Sequence, residues 1–367
     1  MPEIQGSFFV RHAMAMKLGL GFHKSRITRE NFRFARQAGC THAVVHLVDR
    51  YRGEALPGTD PTCFGQTRAR GRLWSEASLR EVKTMAEDEG LTLEAVENID
   101  PSFWCDVLLD GPRKQEQMEG LKTLVRRLGK VGIPILGYNF SIAGVWGRVP
   151  GPVARGGAVA AMFSEKTRPA ETPVPRGQLG NLVYDPAPPP GDIGTVSPEQ
   201  IWRRFQDFLE ALVPVAEEAG VRLAAHPDDP PLPVLRGTAR LIHRHEHLRR
   251  VLELVPSRAN ALEFCLGTLQ EMAEGDLYET VDRHSREGAI AYIHFRNVRG
   301  KAPRYHEVFV DEGDLDMIRV LRILRRNGYD GVLIPDHAPE MTCDAPWHAG
   351  CAHAIGYMLG ALQALEK

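Results

Sequence analysis

The sequence predicts a (β/α)8 barrel, the TIM barrel, with a long Gly/Pro-rich insertion after the fourth strand. Three observations predict it. Short apolar runs alternate with helical stretches eight times, the pattern of a parallel α/β fold. The last four of these runs each end in a side chain able to bind a transition metal, and barrel enzymes carry their chemistry on the loops after the strands. The competing doubly wound sheet lacks its dinucleotide loop, because Gly19-Leu-Gly21 has no third glycine at the required spacing.

Taken in order, Met16 to Leu20 is the first strand. Thr28 caps a helix to Ala38 that Gly39 stops. His42 to Leu47 is the second strand, followed by a long loop to Leu73. Ser75 caps a helix from Glu76 to Glu89, and Gly90 ends it. Leu91 to Val96 is the third strand, with its helix from about Arg113 to Leu128. Ile133 to Asn139 is the fourth. From Ser141 to about Thr195 the chain is rich in Gly and Pro, ending in Pro186-Ala-Pro-Pro-Pro-Gly-Asp192. A stretch this long without regular structure is a functional cover or a disordered segment. The βα pattern resumes at once, so residues 141–197 are read as an insertion, a lid or a subunit contact, within one barrel domain spanning 1–367. Ser197-Pro-Glu-Gln200 has the form of a capping box and opens a helix to about Ala219. Strands five to eight start at Val221, Ala261, Ala289 and Gly331. Helices follow around 236–255, 276–286 and 314–326, with a last one from about Gly350 to Leu365.

The bulk numbers exclude several classes. The chain has 367 residues, 25% of them charged, and a net charge of −2. No basic surplus points to nucleic acid, and no run of about 18 apolar residues points to a membrane span. Met1-Pro-Glu-Ile-Gln-Gly6 lacks the pattern of a signal peptide, so a cytoplasmic location is expected. The six cysteines show no CxxC pair and are expected to be free thiols. His243, His245 and His247 are expected on a solvated helical surface. The expected partner is a small molecule, and the chain is expected to form a homo-oligomer.

The ligand-type residues are His226 after Val221-Arg-Leu-Ala-Ala, Cys265 after Ala261-Leu-Glu-Phe, His294 after Ala291-Tyr-Ile and Asp336 after Val332-Leu-Ile-Pro. One such residue means little, since cysteine is often simply buried and aspartate often caps a helix. Recurrence at four successive strand ends is different, because parallel neighbours in one barrel bring their ends to one mouth. Two imidazoles, a thiolate and a carboxylate suit a first-row divalent ion. Zn2+ fits on softness; Mn2+ and Fe2+ fit too and more readily admit substrate oxygens. Around this set, the stiff loop Pro227-Asp-Asp-Pro-Pro231 aims two carboxylates, Asp228 and Asp229, near the mouth, with Asp228 the expected substrate contact. Arg296 offers a two-pronged contact to a substrate carboxylate. His306 sits in the same loop region, and His337 is the candidate proton carrier. Asn139, with Lys24, His46, Glu97 and Asn98, would complete the pocket wall.

These residues resemble a family. The run from Leu212 through His226-Pro-Asp-Asp-Pro-Pro231 is similar to the signature of mannonate dehydratases. So are Cys265-Leu-Gly-Thr268, His294-Phe-Arg296, His306-Glu307, Gly313-Asp-Leu-Asp-Met317 and Pro335-Asp-His337. Weaker matches lie in Leu73-Trp-Ser75 and Gly137-Tyr-Asn-Phe140. The resemblance covers most of the chain and is dense from about Trp202 onward. It implies a barrel of the xylose-isomerase-like group using Mn2+ or Fe2+. It implies dehydration of D-mannonate to 2-dehydro-3-deoxy-D-gluconate, and a metal held by His226, Cys265, His294 and Asp336.

The chain also departs from the family pattern. Ile334-Pro-Asp-His-Ala-Pro339 stands where the family has an arginine before the aspartate and a second histidine after it. Ala352 stands at a family tyrosine, with His348, His353 and Tyr357 as nearby substitutes. Val145-Trp-Gly-Arg-Val-Pro150 replaces an acidic, arginine-containing run. The sequence is therefore read as a divergent member, a sugar-acid dehydratase. The alternatives are a metal-dependent sugar isomerase, epimerase or keto-glycoside lyase on the same barrel, and a non-catalytic sugar-binding homologue.

Overall fold

Eight short, mostly buried strands close into one parallel barrel in the computed structural model of the protein, which describes residues 16–51 and 65–365. They are β1 (Lys17–His23), β2 (His42–His46), β3 (Thr92–Glu97), β4 (Ile135–Tyr138), β5 (Arg222–Ala225), β6 (Asn260–Cys265), β7 (Ile290–His294) and β8 (Val332–Ile334). Strands adjacent in the chain are adjacent in the sheet, and β8 closes on β1. Parallel strands buried on both faces read as near-continuous apolar runs, which is why the strands were legible. The N-terminal reading at residues 1–6, Cys63 and most of the loop after β2 lie outside the described residues.

Side chains alternate inward and outward along each strand. The inward set includes Val44, Ala95, Ile135, Ala224, Ala261, Tyr292, Val332 and Ile334, which pack together inside the barrel. Stepping two residues along from these gives His46, Glu97, Gly137, His226, Glu263 and then Cys265, His294 and Asp336. The ligand-type residues are thus the upper layer of the barrel interior. Register supports this, with Cys265 opposite His294 and His294 opposite Ile334. Gly137 is needed at its place, because a Cβ there would overlap the Tyr292 hydroxyl and come within 2.6 Å of Glu263 Oε2.

Ten α-helices are assigned among the described residues: α1 (Arg29–Ala38), α2 (Glu76–Asp88), α3 (Pro101–Leu109), α4 (Lys114–Val131), α5 (Pro198–Ala219), α6 (His245–Leu254), α7 (Leu266–Glu271), α8 (Leu277–Arg286), α9 (Met317–Arg326) and α10 (Pro346–Leu365). Thr28, Ser75 and Ser197 cap their helices, and Ser197 forms the reciprocal box with Gln200. Gly39 ends α1 in the left-handed region at φ 111°. α5 buries Trp202, Phe205 and Phe208 beside Tyr138, Phe140 and Trp104. Each such ring contributes roughly 1.5–3 kcal/mol on burial. No helix of the described residues is long and apolar enough to cross a membrane. The five described cysteines are free thiols.

Several expectations need correction. The helix expected around 236–255 starts only at His245, because Val234–Leu235 and Thr238–Ala239 form a small hairpin first. After β3 there are two helices, and the sequence reading found only the second. His243, His245 and His247 are half-buried rather than solvated. His245 Nδ1 lies 2.8 Å from Thr280 Oγ1, and His247 packs edge-on against Trp202.

The insertion is built from short strands. Val149–Gly151 pairs with Ala160–Ser164, which pairs with Arg304–Val308, which pairs with Asn297–Lys301. The insertion after β4 therefore shares one sheet with the hairpin that follows β7. Its later part, Gln178–Leu179 and Leu182–Val183, joins Gly65–Thr67 and Arg50–Tyr51 from the loop after β2.

Candidate metal centre at the barrel mouth

Ligand-type atoms of His226, Cys265 and His294 all lie within 4.8 Å of one another. Asp336 stands beside them, its Oδ2 3.5 Å from His294 Nδ1. The tautomers suit metal binding. His226 Nδ1 is 2.5 Å from the Pro227 carbonyl oxygen, so Nδ1–H is the donor and Nε2 is the atom a metal would take. Burial opposes charging of the ring, but Glu263 and Cys265 outweigh it and raise its pKa to about 9, so a metal would displace the Nε2 proton. His294 Nε2 is 3.1 Å from Glu97 Oε2, which leaves Nδ1 toward Asp336. That Nδ1 is buried and has no hydrogen-bond partner. A neutral imidazole whose other nitrogen is held by a carboxylate or carbonyl is the usual form of a metal-bound histidine. Burial pushes the Cys265 thiol up, but Arg296 and the two histidines outweigh it and hold the thiol well below its ordinary range. It also accepts from the Thr268 hydroxyl at 3.2 Å. The residues fit a divalent ion.

Beneath this layer lies a second buried group, Glu97, Glu263 and His294. Glu263 Oε1 is 3.1 Å from His294 Nε2. Burial and then the neighbouring Glu97 push the Glu263 carboxyl up to about 8. Glu97 goes the other way, to about 2, because His46 and His294 outweigh its burial. Both carboxylates face His294 Nε2 at 3.1 Å, and their mutual repulsion drives the two pKa values apart. His46 lies 3.6 Å from Glu97 and packs at a tilt against His23, so the β1 and β2 ends close this side of the mouth.

Above the candidate ligands sits a network of arginines and carboxylates. Arg296 is 2% exposed and reaches Asp336 at 2.9 Å, Asp229 at 2.8 Å, Glu271 at 3.1 Å and Glu307 at 3.2 Å. It passes so close to Gly267 that a Cβ there would overlap its Nε. Arg148, from the insertion, pairs with Asp229 at 2.7 Å and with Glu307. The Tyr305 hydroxyl donates to Asp229 Oδ1 at 2.7 Å. His337 Nδ1 lies 2.9 Å from Glu307 Oε1, and Nε2 lies 3.4 Å from Asp336 Oδ1. Its side chain is 38% exposed, the most open member of the network. Partial burial opposes charging of His337, but Asp336 and Glu307 outweigh it and raise its pKa. Nδ1 is enclosed by Glu307, Arg148 and Arg296, which leaves Nε2, beside Asp336, as the ring atom that can exchange a proton.

The other expected site residues are placed differently. Arg296 was expected to grip a substrate carboxylate, yet its fork is spent on protein carboxylates and Thr268, so it orders the site. Asp228 turns away: its Oδ2 accepts the Leu241 and Ile242 amides at 2.8 Å each, and Asp229 is the residue that joins the network. His306 points to the opposite face of its strand from Tyr305 and Glu307, as the two-residue period requires, among Arg299, Glu312, Asp314 and Arg304. Asn139 donates to the carbonyls of His226 and Pro227 at 3.3 and 3.2 Å, so it braces the loop of a candidate ligand. Ala352 is exposed on α10. Of its suggested substitutes, His353 bonds Asp311 and His348 bonds Asn31.

Sequence reasoning missed Glu263, Glu271 and Arg148 as site members, and from Tyr305-His306-Glu307 it chose His306 rather than its two neighbours. For Glu263 the signal existed, since it stands two residues before Cys265 on the same strand face. For Glu307 and Tyr305 the alternation within Arg304–Val308 was available once the strand was known. Arg148 had no local signal.

Comparison with known proteins covers most of the chain. The D-mannonate dehydratase (UxuA) family matches residues 57–172 and 192–367. Mannonate dehydratase of Streptococcus pneumoniae is 30% identical over 286 residues, covering 75% of this chain and 77% of its own. That of Lactococcus lactis subsp. lactis is 27% identical over 321 residues, covering 81% and 88%. The crystal structure of mannonate dehydratase from Streptococcus suis serotype 2 superposes with a TM-score of 0.75 at 24% identity, covering 95% and 94% of the two chains. L-Ribulose 3-epimerase shares the fold at a TM-score of 0.54 and 14% identity, covering 96% of each chain.

Proposed function

This chain belongs to the D-mannonate dehydratase family, and from that premise we propose that it removes water from D-mannonate to give 2-dehydro-3-deoxy-D-gluconate. The observation that carries the reading is the group of His226, Cys265 and His294 with Asp336 beside it. These four would hold a divalent ion, Mn2+ or Fe2+, with Zn2+ also compatible with the donor set. Such an ion supplies a Lewis acid that neutralises the substrate carboxylate, so that the α-carbon can bear developing negative charge.

The chain's own residues do the rest. Dehydration takes the proton from C2 and releases the hydroxyl at C3 with a proton. His337 carries one of these transfers through Nε2, because Glu307 holds Nδ1. Arg296 keeps Asp336, Asp229 and Glu307 in place around it. The insertion, residues 141–197, covers the site from the sheet it shares with Arg304–Val308.

The test incubates Mn2+-loaded protein with D-mannonate and measures 2-keto-3-deoxy acid. Product formed in proportion to enzyme supports the reading. No product over long incubation, with turnover of ketoses or keto-glycosides instead, would refute it in favour of an isomerase, epimerase or keto-glycoside lyase.

A further inference from the structure

We infer that the insertion after β4 contributes a positioning residue to the reaction: Arg148 fixes the Glu307 carboxylate and, through it, the orientation of the His337 imidazole. The chemistry of this inference rests on the dehydratase reading; its geometry does not.

Arg148 reaches the barrel mouth from the insertion, and its side chain is 9% exposed. Trp146, fully buried with Ala143 and Leu235, anchors the chain two residues earlier. Val149–Gly151 follows at once and is stitched through Ala160–Ser164 to Arg304–Val308, the strand that carries Glu307. Arg148 therefore approaches Glu307 from a sheet that both share, and its backbone is fixed on both sides.

Glu307 Oε1 is a junction. It faces His337 Nδ1 at 2.9 Å, Arg296 Nη1 at 3.2 Å and Arg148 Nη2. Arg148 Nη2 also lies 3.2 Å from His337 Nδ1, while its Nη1 holds Asp229 Oδ2 at 2.7 Å. The two prongs thus set the spacing of Glu307 and Asp229, a task that a planar fork performs better than a point charge. Glu307 is 3% exposed, so in the intact site its position is set by its protein partners. Without Arg148 the remaining arginine at Glu307 is Arg296, which is bonded to Asp336 at 2.9 Å. Glu307 would then follow Arg296 toward Asp336, and its hold on His337 Nδ1 would loosen. Both imidazole tautomers and a range of ring angles would become available, and fewer encounters would present Nε2 to the substrate.

The test compares the metal-loaded wild type with Arg148→Ala and Arg148→Lys. For Arg148→Ala, kcat is expected to fall about 10- to 100-fold, the scale of a small misplacement of a reacting group. KM should move much less, and metal content should stay at the wild-type level. Arg148→Lys should recover part of kcat, and added guanidinium ion should recover part of it in Arg148→Ala. A second readout needs no turnover: nitrogen NMR of the imidazoles in Zn2+-loaded protein, with His337 assigned by its loss in His337→Asn. Wild type should show a protonated Nδ1 held against Glu307, and Arg148→Ala an Nδ1 signal shifted toward the average of the two tautomers. A kcat within about twofold of wild type, or an unchanged His337 tautomer, overturns the inference. So does loss of metal and fold in Arg148→Ala with no recovery of kcat or tautomer in Arg148→Lys, which assigns the arginine to the scaffold. If wild type leaves D-mannonate untouched, the dehydratase reading falls, and the NMR comparison still decides the role of Arg148.

Discussion

Replacing Glu97 tests whether the buried layer under the candidate ligands tunes metal binding. Glu97 ends β3, is 5% exposed, and places Oε2 3.1 Å from His294 Nε2. His46 and His294 keep it ionised despite its burial. A hydrogen bond to an ionised partner contributes about 1.5–3 kcal/mol. At about 1.4 kcal/mol per decade this is roughly 10- to 100-fold in affinity, the range seen when a carboxylate behind a metal-bound histidine is removed. Glu97→Gln retains an acceptor oxygen and should weaken Mn2+ binding by about tenfold. Glu97→Leu removes the acceptor, frees the ring to choose its tautomer, and should approach about 100-fold. The assay is calorimetric titration of chelator-stripped protein with Mn2+, with thermal unfolding run alongside. A folded Glu97→Leu protein that binds Mn2+ within about twofold of wild type would show that Glu97 does not orient His294, and the tautomer argument would fail with it.

Three further outcomes are expected. His337→Asn should lower kcat by orders of magnitude while retaining metal, read by product formation and metal analysis; near-normal turnover would remove His337 from the mechanism. Gly267→Ala should destabilise the fold and weaken metal binding, because its Cβ would push Arg296 off Asp336 and Asp229; an unchanged melting temperature and metal affinity would contradict the close approach. Stability should fall as pH drops from about 6.5 toward 4, because burial lowers the pKa of His42, His245 and His247 to about 4 each. A group depressed in the folded state contributes stability above its unfolded pKa and loses it as pH falls through the folded value. His245→Gln should flatten part of that slope in urea melts at stepped pH, and an identical slope would place the acid sensitivity elsewhere.

The candidate site was legible where it followed strand periodicity and illegible where it depended on the approach of distant loops. His226, Cys265 and His294 stand at equivalent ends of β5, β6 and β7, so a parallel barrel had to bring them together. Asp336 and His337 follow from β8 in the same way. Asp228 and His306 were misplaced because composition shows that a carboxylate or imidazole is present but not which way it faces. In Asp228-Asp229 the first carboxylate caps the 241–242 amides and only the second enters the network. His306 lies between two inward residues on one strand, so the two-residue period sends it outward.

The insertion shows the same limit. Its Gly and Pro content suggested a structureless cover, yet it forms strands that pair with the hairpin after β7 and the loop after β2. Such pairings use backbone groups and leave little trace in side-chain pattern. By itself the sequence determined the barrel, the order of its strands and the candidate metal ligands, because alternation and burial are local properties of the chain. Only the tertiary structure decided which charges face one another at the mouth. Arg148 and Glu307 are 159 residues apart in sequence, and that contact is set by sheet pairing and burial that no local pattern encodes.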